Sequence, residues 1–301
     1  MIARIMSKLR TLRRLLSRSE WAVRLLAMPR TPQAASEPGL ILIQIDGFSR
    51  TELEKALAAG RMPFCKRLLE REGYSLRSLY SGLPSSTPAV QGELFYGVRT
   101  AVPAFQFRDR DTGALTSMLQ PETAEKVEAR LAREGEPLLK GGSAYADVYT
   151  GGAEETSFCT SGFGPSHLLR HASVPRLTGV LLFHAFIILR SLGLLAVEWV
   201  LALSDVVRGI IDRQDLLYEL AFIPKRIAIV VLLRELAKIG MQIDATRGVP
   251  IIHANFLGYD EQAHRRGASS AFAHWTLKGI DQAIRRIWSV ARRSQCRDYD
   301  L

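Results

Sequence analysis

Asp46, Thr87, Asp260 and His264 are the residues whose types and spacing suit metal-assisted nucleophilic chemistry. Asp46 closes the apolar run LILIQI and precedes Gly47. Thr87 opens the segment TPAVQGELFYG. Asp260 and His264 stand four apart in YDEQAHRRG, one turn of a helix. Carboxylate oxygens and imidazole nitrogens are the usual protein ligands of zinc and related divalent ions. A hydroxyl bound to such an ion gives up its proton more readily and becomes a nucleophile. Two neighbouring ions activate an attacking oxygen and stabilise a leaving one in phosphoryl transfer. Each fragment also has an ordinary explanation. Asp-Gly is a common turn, and Asp260 with His264 makes a plausible surface pair. Thr87-Pro88 is a good helix start, with Thr as the cap and Pro at the first helical position. Ser85 and Ser86 read as turn residues or as phosphate contacts.

The elements that must position these residues are legible as alternating periods. Leu40–Ile45 reads as a buried strand of a parallel sheet. Helices are expected over 51–59 and 63–72, a short strand over 75–81, and a helix from Thr87. A further helix starts near Pro121, and a Gly-bounded strand covers 143–149. Gly141, Gly142 and Ser143 read as a tight turn. A helix follows over 226–240, then a strand over 249–257. The stretch SAFAHWTLKGIDQAIRRIWSVARR is a long amphipathic helix. Strands alternating with helices imply an α/β fold, a mostly parallel sheet with helices on both faces. In such sheets the site forms beyond the carboxyl ends of the strands. Asp46, Thr87 and Asp260 all fall just after expected strands.

This combination resembles the alkaline phosphatase superfamily, in its type I phosphodiesterase/nucleotide pyrophosphatase branch. Asp46-Gly47 matches the family's first Asp-Gly. The family pattern T-x-P-x-x-x-x-x-x-T-G is matched by Thr87 and Gly97, with Pro88 one position early and Tyr96 in place of the second Thr. The pattern D-x-x-G-H-x-x-G is matched by Asp260, His264 and Gly267, with Ala263 for its first Gly. The resemblance covers roughly residues 39–160 and 246–292. It implies Thr87 as nucleophile and metal ligand, Asp46 and Thr87 on one metal, and Asp260 and His264 on the other. Two zinc ions are implied, with manganese as the substitute, and a phosphate-ester substrate, most naturally a phosphodiester. Sulfatase chemistry is disfavoured, since that branch uses a modified Cys or Ser where this chain has Thr87.

The family pattern continues with a further strand, an Asp-His-Gly motif and a final His, whereas this sequence ends at SQCRDYDL. His253 reads as a satisfied core residue, His184 lies in an apolar stretch, and His167, His171 and His274 lack ligand spacing. The metal centre is therefore expected to be incomplete, and the chain a C-terminally truncated or degenerate homologue of weak or no activity. The alternatives are an inactive homologue acting as a membrane-peripheral or partner-binding protein, and a transferase of phosphorylated headgroups.

Composition sets the remaining bounds. The chain has 301 residues, 47% of them hydrophobic, enough for one large α/β domain or two smaller ones. The division expected is a basic arm and linker (1–38), the first part of the catalytic domain (39–165), an apolar helical insertion (166–245) and the second part (246–301). The net charge of +10 is concentrated in the first thirty residues, whose apolar positions recur at helical spacing. Such a segment either lies on an anionic membrane surface or serves as a solvated or docked arm. No nucleic-acid-binding module is recognisable. Arg190 and Glu198 interrupt the stretch 177–204, so an interfacial or packed insertion is expected, one that admits a lipid-like substrate. Cys65, Cys159 and Cys296 are scattered, which suggests free thiols. Without a secretory h-region, a cytoplasmic protein with peripheral membrane association is expected.

Overall fold

The computed structural model describes residues 17–31, 38–99, 102–110, 112–162 and 228–295, together with Gly193. The arm before Ser17, most of the linker, the greater part of the apolar insertion, His167, His171, His184 and Cys296 lie outside the described residues. Among those described, no helix is long and apolar enough to cross a membrane.

Four parallel strands form the central sheet. They are β1 (Leu40–Ile45), β4 (Ser143–Tyr145), β5 (Glu155–Ser157) and β6 (Ile251–Phe256), in the spatial order β1-β6-β4-β5. A small antiparallel ribbon, β2 (Gln106–Arg108) with β3 (Leu115–Ser117), stands apart. The helices are α1 (Arg18–Leu25), α2 (Arg50–Ala58), α3 (Pro63–Arg71), α4 (Thr87–Tyr96), α5 (Pro121–Glu134), α6 (Arg234–Arg247), α7 (Gly258–Arg266) and α8 (Ala271–Gln295). A π-helical turn, Ala228–Leu233, leads into α6. The architecture is mixed α/β, a parallel sheet flanked by helices.

The strand period of two assigns each side chain to a face. Ile41 pairs with Ile252, Ile43 with Ala254 and Ile45 with Phe256. These residues meet one core, built with Ala237 and Met241 of α6 and Leu277 and Ile280 of α8. The opposite face carries Ala144 and Ile251 and meets a second core with Phe95 of α4, Leu131 of α5 and Tyr149. The long α8 buries Ala273, Leu277, Ile280, Ala283 and Ile287 along one stripe, as an amphipathic helix should. The same stripe contains buried Asp281. Its carboxylate accepts hydrogen bonds from the N–H groups of Phe64 (3.1 Å) and Cys65 (2.8 Å). Met62, at the N-cap of α3, supplies no side-chain bond, so a residue distant in sequence satisfies the free donors that every helix start presents.

The end of the basic segment is docked rather than solvated. Ala22, Val23, Leu26 and Met28 pack against Ile243 of α6, and Ser17 caps α1 through a bond from the Glu20 N–H.

Local expectations are corrected at three places. Residues 75–81 form no strand. The strand expected over 143–149 stops at Tyr145 because Ala146 takes a left-handed φ of 59°. The helix cap is Ser86, with extended φ and ψ, so Thr87 is the first helical residue rather than the cap. The Gly141–Gly142 stretch is a tight turn, its Gly142 carbonyl accepting from the Glu154 and Glu155 N–H groups. Cys65 and Cys159 are free thiols.

Candidate functional site

β1 and β6 are adjacent and parallel, so their carboxyl ends open at the same place. Asp46 leaves the end of β1, and its backbone N–H bonds the Phe256 carbonyl at the end of β6. β6 passes almost directly into α7, which carries Asp260 in its first turn and His264 in its last. α4 brings its own start to the same end of the sheet.

Thr87 is buried, and its hydroxyl is spent on Asp46 rather than on the helix. Thr87 Oγ1 donates to the Asp46 carboxylate, 3.0 Å from Oδ1 and 3.2 Å from Oδ2. Gly47 turns the chain with φ +65°, and the space beside it is filled by Asp260. Asp260 in turn meets His264, with Oδ1 and Nε2 3.2 Å apart. His264 is 80% exposed and the Asp260 side chain 32%, so this side of the site opens to solvent. All four residues singled out in the sequence are thus brought to one end of the sheet, as the linked pairs Thr87–Asp46 and Asp260–His264.

Electrostatics couples the pairs. Burial raises the affinity of Asp46 for a proton, and the neighbouring Asp260 charge raises it further. Bonds from Thr87, the Gly47 N–H and Gln44 act in the opposite direction. Burial likewise raises Asp260, opposed by His264. The hydrogen-bond partners of Asp46 among the described residues are all neutral. The Asp46 carboxylate therefore lies near that of Asp260 with no cation among its own bonded partners in the described residues. That donor set of carboxylate oxygens, a hydroxyl and an accessible imidazole fits a divalent ion such as zinc or manganese. Among the described residues, no three His, Cys, Asp or Glu side chains already enclose a metal site.

Sequence reasoning missed a second layer beneath α4. Gln91 lies one turn after Thr87 on the same helix face and is fully buried. It joins Gln44 of β1 to Asp147, which follows β4. Asp147 also meets His253 Nδ1 at 2.9 Å, and the His253 ring packs edge-on against Phe95. His253 is therefore the satisfied core residue expected. Asn255, the register partner of Gln44, is 1% exposed, and neither of its amide atoms has a hydrogen-bond partner among the described residues. The signal was present in the strands: Gln44 interrupts LILIQI, and His253 and Asn255 interrupt IIHANF at alternate positions. Comparisons of the chain with protein-family models, with curated proteins and with solved structures returned no match.

Proposed function

We propose that this chain is a metal-dependent hydrolase of phosphate esters, with phosphodiesters as its substrates and an alkaline-phosphatase-like fold. The observation that carries the reading is the bond from Thr87 Oγ1 to the Asp46 carboxylate, set beside Asp260 at the carboxyl ends of two adjacent parallel strands. In this reading Asp46 and Thr87 hold one divalent ion, and Asp260 and His264 hold the other. The bound metal supplies Lewis-acid stabilisation of charge on oxygen and eases loss of a hydroxyl proton.

The residues of the chain do the rest. Asp46 orients Thr87 Oγ1 by accepting its hydrogen bond. The amino end of α4 favours the negative phosphate through its free N–H groups and dipole. Thr87 Oγ1 forms a bond to phosphorus as the bond to the leaving alkoxide breaks. The Thr87 proton passes to the Asp46 carboxylate, which already accepts its hydrogen bond, and the alkoxide takes a proton from water. Water then cleaves the phospho-Thr87 ester and releases the phosphate monoester.

The test is turnover of a chromogenic phosphodiester with added zinc or manganese, run beside Thr87→Ala, with bound metal counted by native mass spectrometry. Metal-dependent turnover that is lost in Thr87→Ala, with bound zinc reduced in Asp46→Ala and His264→Ala, supports the reading. Equal rates in wild type and Thr87→Ala overturn it.

A further inference from the structure

Residues 74–83, between α3 and α4, expose four large apolar side chains. Tyr74 is 51% exposed, Leu79 85%, Tyr80 77% and Leu83 79%. Single apolar residues at a surface need no explanation, but a contiguous group of them marks an interaction site. Of the segment's apolar residues, Leu76 alone is half-buried. The segment is nonetheless held in place. The Tyr74 N–H bonds the Leu68 carbonyl at 3.2 Å, and Ser78 Oγ accepts from Arg50 Nη1 at 2.9 Å. Glu72, just before it, is bonded by Arg67 of α3 (2.7 Å) and Arg292 of α8 (3.1 Å). At its other end the chain enters α4.

Charge decides what fits against this surface. Between Glu72 and Glu93 the only charged residue is Arg77. Arg71, at the end of α3, is exposed like Arg77, and neither pairs with a carboxylate among the described residues. The patch is apolar with uncompensated positive charge beside it. A two-fold axis through it would set this positive patch against its own copy, because such an interface uses the same surface twice. An anionic lipid surface neutralises the arginines instead, while leucines enter the acyl boundary and tyrosine rings settle at headgroup level. We propose that residues 71–83 dock on an anionic lipid bilayer, with Leu79, Tyr80 and Leu83 entering the interface and Arg71 and Arg77 meeting lipid phosphates. Docking needs neither a metal nor turnover. Four residues of chain join Leu83 to Thr87, a span of at most about 14 Å, so docking holds the amino end of α4 near the headgroups.

The experiment is sedimentation of the full chain with vesicles of mixed phosphatidylserine and phosphatidylcholine, and with phosphatidylcholine alone. Wild type is compared with the triple variant Leu79→Ser, Tyr80→Ser, Leu83→Ser and with Arg71→Gln and Arg77→Gln, each also followed by thermal unfolding. All keep the basic first thirty residues. Binding to the anionic vesicles should fall by more than about tenfold in the triple variant and by about fivefold for each arginine replaced. Unfolding temperatures should stay unchanged, because all five side chains are exposed. Wild-type binding in the triple variant would overturn the proposal and assign lipid binding to the basic arm. Absence of vesicle binding by the wild type would overturn it too, and a concentration-dependent dimer lost in the triple variant would then make the patch an interface between two copies. Neither outcome touches the hydrolase reading, whose test is turnover.

Discussion

The Asp260 carboxylate occupies the space that a side chain at position 47 would need. A Cβ on Gly47 would stand 3.1 Å from Asp260 Cγ and closer still to Oδ1, on a backbone whose φ is +65°. Gly47→Ala therefore meets two separate costs. The left-handed conformation costs an alanine roughly 1–2 kcal/mol, and Asp260 must swing away from Asp46. Gly60 provides the control, because its φ is +64° and nothing lies within 4 Å of its added Cβ. Thermal unfolding should show the backbone loss in both variants and a larger total loss in Gly47→Ala, while zinc titration should show weakened binding for Gly47→Ala alone. Equal zinc affinities in the two variants would separate Asp260 from the metal site.

Asp281 should behave as a tertiary helix cap. Replacing it by Ala strips the partners from two N–H groups at the start of α3. Hydrogen bonds to a charged acceptor contribute about 1.5–3 kcal/mol each, so the loss should reach about 3 kcal/mol in urea unfolding. Asp281→Asn keeps one oxygen and should lose less. A loss in Asp281→Ala below about 1 kcal/mol would show that α3 starts without this carboxylate.

The chain should lose stability in alkali through its buried tyrosines. Burial, followed by the Asp244 charge, holds the Tyr145 hydroxyl well above its ordinary range, and Tyr145 Oη donates to Asp244 at 2.5 Å. Tyr259 is pushed up to about 12, chiefly by burial. In the unfolded chain tyrosine titrates near pH 10. The folded values are raised, so the stabilisation is complete below about pH 10 and fades as pH rises toward and beyond the folded values. Tyr145→Phe should be less stable than wild type at pH 8, but its stability should fall less steeply above pH 10. Parallel decline of the two proteins would exclude Tyr145 as a source.

The acid limb should involve Asp109. Its carboxylate is lowered to about 2, first by the Thr112 N–H, then by Arg130 and the Thr112 hydroxyl. A depressed value means the stabilisation is present above the ordinary carboxylate range, near 3.9, and is lost as pH falls toward about 2. Asp109→Asn should therefore lower the melting temperature at pH 5 more than at pH 2. An identical deficit at both values would rule this out.

The elements carrying the site were legible because each had a strong local signal. The run LILIQI is β1, and the apolar stripe from Ala273 to Ile287 is α8. The placement of Asp46 and Asp260 after strands anticipated the end of the sheet where they meet, whereas Thr87 arrives there at the start of α4 without the strand expected before it. Other features depend on long-range partners. Met62 gives no hint that Asp281 caps α3. Gln91 and Asp147 meet because α4 lies over the junction of β1, β6 and β4, an arrangement that no local window contains. Residues 75–81 show the converse, since a short strand was expected and no ladder forms there.

The pairing of β1 with β6 also sets an order of events during synthesis. Leu40 of β1 lies beside Ile251 of β6, so the first strand leaves the ribosome long before its neighbour exists. At usual elongation rates of about 5–20 residues per second, some two hundred intervening residues take roughly 10–40 s. Throughout that interval the apolar side chains of β1 lack the partner that shields them, and Asp46 lacks Asp260. The site is therefore among the features of the molecule that form late in synthesis, once α7 has followed β6.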